Sequence, residues 1–409
     1  MWRDDNSPAM LIITKQIKNT ELQAQTMKIH FEADELANRR AVTITRLENE
    51  GLDGLLMFRQ ESMYYLTGYD TIGFVFFQCL YLGVDGSMFL LTRRPDLLQA
   101  QQTSIIDEIH IWQDHQDANP SQDLHDLLIS KGLSAKKLGV ELESYGLTAA
   151  NSNKLHAALE GVVTLVDASY LVTHQRVIKS AAELEYVRHA GELSDAALAE
   201  AIRLAEPGAS EATILAAMQA AVLAGDGDYP ACEFIIGSGP YAQLVRYHSG
   251  RRTLDSQDQL TLEYAGVFRH YHAVAMQTIV IGEADPEHVE RHKACRDALL
   301  ACEEALRPGQ ALGEVYEAGA RQLGGAGYGE DRFHAFGYSL GACYGPNWMD
   351  WPMIYEDNPV IIQPGMVFFV HLILPNSETG LSQTLGRTSI VGETGAQPVC
   401  SRNLDLVCK

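Results

Sequence analysis

Apolar positions in ADELANRRAVTITRLENEGL (33–52) recur at helical spacing, and Gly51 is placed to end that helix. Four apolar runs follow, DGLLMF (53–58), SMYYLTGY (62–69), VFFQCLYLGV (75–84) and GSMFLLT (86–92). Separated by Gly-containing turns, they read as strands. A helix over 123–131, the strand KKLGVEL (136–142), a helix from about Thr148 and the run VTLVDASYLV (163–172) complete an alternating α/β pattern. The pattern then changes. Ser180 and Glu183 make a capping box at the head of a long helix closed by Pro207-Gly208, and ASEATILAAMQAAVLAG continues helical to Gly225. CEFIIGSG (232–239) and DQLTLEYAGVFRHYHAVAMQTIVIG (258–282) read as strands, and helices are expected over 286–307 and from about Leu312. The strands MVFFVHLIL (366–374) and GLSQTLGRTSIVGE (380–393) follow. This pattern predicts a polar leader over 1–27, an N-terminal α/β domain over 28–174, and an α+β domain over 175–409 with helices on a curved, mostly antiparallel sheet.

Composition narrows the function class. The chain has 31 basic and 53 acidic residues, a net charge of −22, which disfavours nucleic acid and anionic membrane as partners. Seven single cysteines without a CxxC pair indicate neither a zinc knuckle nor a disulfide framework and suit a reducing, cytoplasmic setting. The start MWRDDNSPAM is unlike a signal peptide, and IGFVFFQCLYLGV from Ile72 is too short to span a bilayer. P-loop and H-E-x-x-H motifs do not occur.

The order of elements, with LTGYD (66–70), KSAAELEYVRHA (179–190), HAFGYSLG (334–341) and QPGMVFFV (363–370), resembles the creatinase/aminopeptidase, or pita-bread, family over nearly the whole chain from about residue 30. The resemblance implies an N-terminal creatinase-like α/β domain and a C-terminal pita-bread catalytic domain. Metal-dependent members hold two divalent ions with two Asp, one His and two Glu. The matching positions here are Glu263, Val274, Tyr338, His371 and either Leu385 or Gly386. A hard dication needs several anionic oxygens and a zinc-like ion three or four N/S/O ligands, so one Glu and one His imply neither a catalytic metal nor another cofactor.

Within the family the chain is similar to the ectoine hydrolases, which open a cyclic amidine to an N-acetylated diaminobutyrate that a partner deacetylase then processes. That likeness implies a small cationic or zwitterionic substrate. Glu263 would pair with an amidinium by charge-assisted hydrogen bonds and act as nucleophile or general base. His248, in VRYHSG, matches the histidine that faces the reacting group and would shuttle a proton. Tyr338 and His371 would line the former metal cavity and polarise a tetrahedral centre or hold water. Trp348 and Trp351, in YGPNWMDWPMIYED, would form an aromatic wall around the cation or anchor a loop. The family's loop carrying Tyr69, Asp70 and Phe74 reaches a neighbouring subunit's site, which implies a homodimer. His270 and His272 are expected on one strand face with Val274. Arg246, Arg251 and Arg387 are the nearest cations for a substrate carboxylate. The alternatives are a creatinase-like amidinohydrolase, an Xaa-Pro dipeptidase-like enzyme, and a non-catalytic binding module.

Overall fold

A computed structural model describes residues 29–247 and 250–409. The chain divides after Gln175 into two compact units.

The N-terminal unit is built on a six-stranded sheet of β1 (Gly54–Met57), β2 (Cys79–Gly83), β3 (Met88–Arg93), β4 (Ile109–Trp112), β5 (Lys137–Val140) and β6 (Thr164–Asp167), in the order β4-β3-β2-β1-β5-β6. β1 pairs antiparallel with β2 and parallel with β5, so the sheet is mixed. Its helices are α1 (Ala33–Asn49), α2 (Gln60–Thr67), α3 (Leu97–Thr103), α4 (Pro120–Ser130) and α5 (Ala149–Leu159), with a short α6 (Thr173–Arg176) where the chain leaves the unit. Thr148 caps α5 by accepting from the Asn151 N–H. The run at 62–69, expected as a strand, is instead the helix α2, closed by Gly68 in the left-handed region with its N–H on the Tyr64 carbonyl. Every residue from Ser62 to Thr67 is buried. An element apolar on all sides carries no periodicity to tell helix from strand.

The C-terminal unit wraps helices over one face of a nine-stranded sheet. Its strands are β7 (Ile235–Ser238), β8 (Asp258–Phe268), β9 (Tyr271–Ile281), β10 (Ala335–Ser339), β11 (Asp350–Tyr355), β12 (Val367–Pro375), β13 (Ser382–Val391), β14 (Ala396–Pro398) and β15 (Val407–Cys408). The main path runs β11-β10-β12-β13-β9-β8-β7, with β14 on β13 and β15 on β9. Four helices accompany it: α7 (Ala181–Leu204), α8 (Glu211–Ala224), α9 (Pro286–Ala305) and α10 (Leu312–Gly325). The capping box at Ser180 and Glu183 is formed. Part of the segment 344–357, expected as a loop, is the edge strand β11.

Two-residue periodicity divides the sheet's faces. Phe368, Val370, Leu372 and Leu385 pack with Cys295, Leu299 and Cys302 of α9 and Val315 and Tyr316 of α10 in one core. Gly266 of β8 lies so close to α7 that a Cβ there would sit 1.9 Å from the Ala190 carbonyl. The alternate positions, Glu263 on β8 and Phe369 and His371 on β12, therefore point to the face away from these helices.

Candidate active site

Backbone pairing places the site residues in register. Glu263 pairs with Met276, Met276 with Gly386, and Gly386 with His371, so one row crosses β8, β9, β13 and β12. Tyr338 of β10 pairs with Phe369, two residues before His371 and on the same face. The Tyr338 hydroxyl donates to Glu263 Oε1 at 3.3 Å, and its ring meets those of Phe369 and His371 edge-on at 5.5 and 5.8 Å. The indole N–H of Trp348 donates to the Tyr338 oxygen at 2.9 Å.

The register also decides between Leu385 and Gly386. Leu385 lies in the core behind the sheet, and Gly386 stands opposite His371. A Cβ at Gly386 would fall 2.7 Å from the His371 Cβ and 2.8 Å from the Val370 carbonyl, so no carboxylate side chain fits beside this histidine. Val274 is a fully buried aliphatic residue. Of the five positions, one offers a carboxylate and one an imidazole; the phenol is already engaged by Trp348 and Glu263. No cluster of three or more His, Cys, Asp or Glu able to hold a metal ion occurs among the described residues. The donor set at these positions does not fit a pair of divalent ions.

Electrostatics single out Glu263. Burial pushes its carboxyl up to about 7, against the pull of the Arg246 guanidinium and the Tyr338 hydrogen bond, while one edge of the side chain stays open to solvent. Burial, aided by Arg246, presses His371 down to about 4, so it is a neutral imidazole near neutral pH. Its buried Nδ1 has no hydrogen-bond partner among the described residues. Burial and the neighbouring Glu263 carry the Tyr338 phenol well above its ordinary value. Arg246, exposed at its tip, thus acts on Glu263, Tyr338 and His371 together. It is one of the three cations considered for a substrate carboxylate, and it faces this site. Arg387 is held behind the sheet by Glu303 in a two-pronged pair of 2.8 and 2.7 Å. Cys232, half-buried, lies in the field of Glu263 and Arg246, and burial raises its thiol.

The other expected residues divide. Trp348 is buried behind Tyr338. Trp351, on β11, packs against the α9–α10 core. His272 shares the face of Glu263, since it pairs with Val267, but it is fully buried, and its Nε2 accepts the Ala231 N–H at 3.0 Å. His270 is not on the strand. It sits in the β8–β9 turn at φ 66°, stacked on Tyr344. His248 lies outside the described residues. In the N-terminal unit Tyr69 is fully buried in the core with its hydroxyl 3.3 Å from Gln78 Oε1, Asp70 is partly buried, and Phe74 is buried on a 3-10 turn. Cys232 carried no motif in the sequence, and Arg246, inside VRYHSG, was named there only as one of three nearby cations. Their one signal was nearness to the β7 run, with Arg246 two residues before His248.

Comparison with known proteins agrees with this architecture. Residues 185–394 match the model of metallopeptidase family M24, and residues 39–178 match the creatinase/prolidase N-terminal domain. The ectoine hydrolase of Halomonas elongata is 28% identical over 91% of this chain and 96% of its own length. A probable dipeptidase PepE of Mycobacterium bovis is 26% identical over 83% of this chain and 88% of its own. Among solved structures, the dipeptidase PepE of Mycobacterium ulcerans superposes with a TM-score of 0.78 at 24% identity, covering 92% of this chain and 99% of that one. A dipeptidase of Pyrococcus horikoshii gives 0.79 at 23% identity, covering 91% and 100%. Below 25% identity these two likenesses speak for the fold. The chain belongs to metallopeptidase family M24, a family of hydrolases, and carries a creatinase/prolidase N-terminal domain.

Proposed function

We propose that this protein is a metal-independent hydrolase that opens the cyclic amidine ectoine to N-acetyl-2,4-diaminobutyrate. The observation that carries the reading is Glu263: a carboxyl raised to about 7, bonded to one phenol and facing one guanidinium, where the family's metal ligands are replaced by Val274 and Gly386. Two dications would repel an amidinium; a carboxylate attracts it. The substrate is a zwitterion, and the site has the matching pair of charges, with Glu263 for the amidinium and Arg246 for the carboxylate.

The reaction adds one water and breaks one ring C–N bond. As general base, Glu263 takes a proton from water while the oxygen bonds to the amidine carbon, then returns that proton to the ring nitrogen as the C–N bond breaks. A carboxyl titrating near the working pH suits both halves of this transfer. As nucleophile, a Glu263 oxygen bonds to the amidine carbon itself, the protonated ring nitrogen departs, and water releases the acetylated product and the carboxylate. Tyr338 O–H stabilises the tetrahedral centre on either route. Neutral His371 offers its unpartnered Nδ1 to the substrate.

The same reading includes a homodimer acting in the cytoplasm, with a deacetylase consuming the product. Ile72, Val75 and Phe76, 80, 65 and 45% exposed, give the N-terminal unit an apolar loop for a partner copy; buried Tyr69 supports that loop from within. No helix among the described residues is long and apolar enough to cross a membrane.

The test is incubation of chelator-treated protein with ectoine, following ring opening by mass spectrometry, with Glu263→Ala alongside. Turnover without metal, abolished in the variant, is the expected result. No turnover with or without added Mn²⁺ or Zn²⁺ overturns the ectoine reading, and creatine and Xaa-Pro dipeptides in the same assay identify the alternatives.

A further inference from the structure

An indole N–H donates and never accepts. The bond from Trp348 Nε1 to the Tyr338 oxygen at 2.9 Å therefore fixes that oxygen as an acceptor, and leaves its single proton to be given elsewhere. The other partner is Glu263 Oε1 at 3.3 Å, beyond the usual range for O–H···O. We propose that Trp348 is a positioning residue: it sets the direction of the Tyr338 proton, making the phenol a standing donor to Glu263 and to the charge that forms beside it. The long second bond suits a donor that turns onto a reacting atom once one is bound, and donation into the phenol oxygen strengthens the donation out of it.

The indole is held for this task. Trp348 is 3% and Tyr338 5% exposed. The segment between β10 and β11 that carries Trp348 is anchored on both sides. Arg176 donates to the Ala342 carbonyl at 3.1 Å and forms a buried ion pair with Asp350 at 2.7 Å, and the Cys343 N–H donates to the His270 carbonyl at 3.0 Å. The indole also packs on the His272 ring, 6.2 Å between centroids. That ring stays neutral, since its Nε2 accepts a backbone N–H and burial lowers it to about 3. Among the described residues, the charged and titratable groups that face Glu263 and Tyr338 are Arg246 and Cys232, with His371 beside the phenol ring. None of them stands between the indole and the phenol oxygen.

The inference rests on Glu263 as the reacting carboxylate, but its test needs no substrate. Titration of the Glu263 carboxyl is read by infrared difference between the protein and Glu263→Gln, each with and without Trp348→Phe. The expected result is a midpoint moved upward by about half a pH unit or more in Trp348→Phe, and no movement when the same substitution is made on Tyr338→Phe. The acid limb of kcat/KM moves with it, and kcat falls about tenfold with KM little changed. An unmoved midpoint in folded Trp348→Phe overturns the proposal, as does an equal movement on Tyr338→Phe. Should Trp348→Phe not fold, the indole N–H is read by ultraviolet resonance Raman in the wild type and Tyr338→Phe. Loss of a hydrogen-bonded indole signal in Tyr338→Phe supports the proposal, and an unchanged spectrum overturns it. Absence of ectoine turnover alters neither readout and counts against the proposed function alone.

Discussion

Two glutamates on opposite sides of one sheet have been solvated differently. Behind it, Glu303 of α9 accepts two bonds from Arg387 and a third from Ser389 Oγ at 3.0 Å, so both its oxygens are engaged by side chains of the fold. On the other side, Glu263 has, among the described residues, one long bond from a phenol, and burial holds its carboxyl up near 7. Two neighbouring residues of β13 divide the same way: Arg387 points back to lock the helix, while Gly386 leaves room for His371. A carboxylate whose partners are all supplied by the fold contributes structure. One left with unmet demand is available to a ligand.

That contrast can be broken from either side. The largest effect is expected at Glu263: replacement by Gln lowers ectoine turnover on the order of a thousandfold while leaving the fold intact, as read by mass spectrometry and circular dichroism. Glu303→Ala does the reverse. It strands the Arg387 guanidinium and costs about 3–5 kcal/mol in chemical denaturation, while the protein that remains folded keeps its kcat. Near-equal activity losses in the two variants would erase the distinction. Tyr338→Phe comes next, with turnover down on the order of a hundredfold, because one donor to the developing charge is gone. Gly386→Ala sharpens the picture at smaller scale. The new methyl meets His371 Cβ at 2.7 Å and costs about 1–3 kcal/mol. His371→Ala restores part of that loss if the two positions are matched as described; a simple sum of the two losses would show that they are not.

Much of this was legible along the chain, because amphipathic helices and capped ends report on themselves locally. The capping box at Ser180 and Glu183, the Gly51 stop and the strand character of β8 and β9 could be read off the residues, but not the turn between those strands that holds His270. The run at 62–69 could not, because total burial removes the polar face that marks a helix. Glu263, Tyr338 and His371 were found through family motifs. Physical reasoning from residue types alone supplied only that one carboxylate and one imidazole make a poor metal site. What stayed hidden is what register and packing create: the choice of Gly386 over Leu385, the engagement of Arg387 by Glu303, the place of Arg246, and the bond between Trp348 and Tyr338, ten residues apart across an irregular loop. None of these has a local signature, since each depends on which strand lies beside which.

The subtlest expected effect is on stability as a function of pH. Glu263 titrates near 7 in the folded protein against an ordinary 4.5, so between those values the native state holds the extra proton and stability falls as pH rises. His371 titrates near 4 against an ordinary 6.5; there the unfolded chain holds the extra proton, and stability rises with pH. The windows overlap between about 4.5 and 6.5 with opposite slopes, so their contributions largely cancel in the wild type. Glu263→Gln uncovers the histidine slope, and the variant loses stability as the solution is acidified from 6.5 toward 4. His371→Gln uncovers the carboxyl slope, and that variant loses stability as pH is raised from 4.5 toward 7. Solvent at the open edges of both side chains reduces each change to on the order of 1–2 kcal/mol. Denaturant midpoints at stepped pH read both slopes. If both variants keep the wild-type profile, Glu263 is not the under-solvated carboxylate that sets this face of the sheet apart from the one behind it.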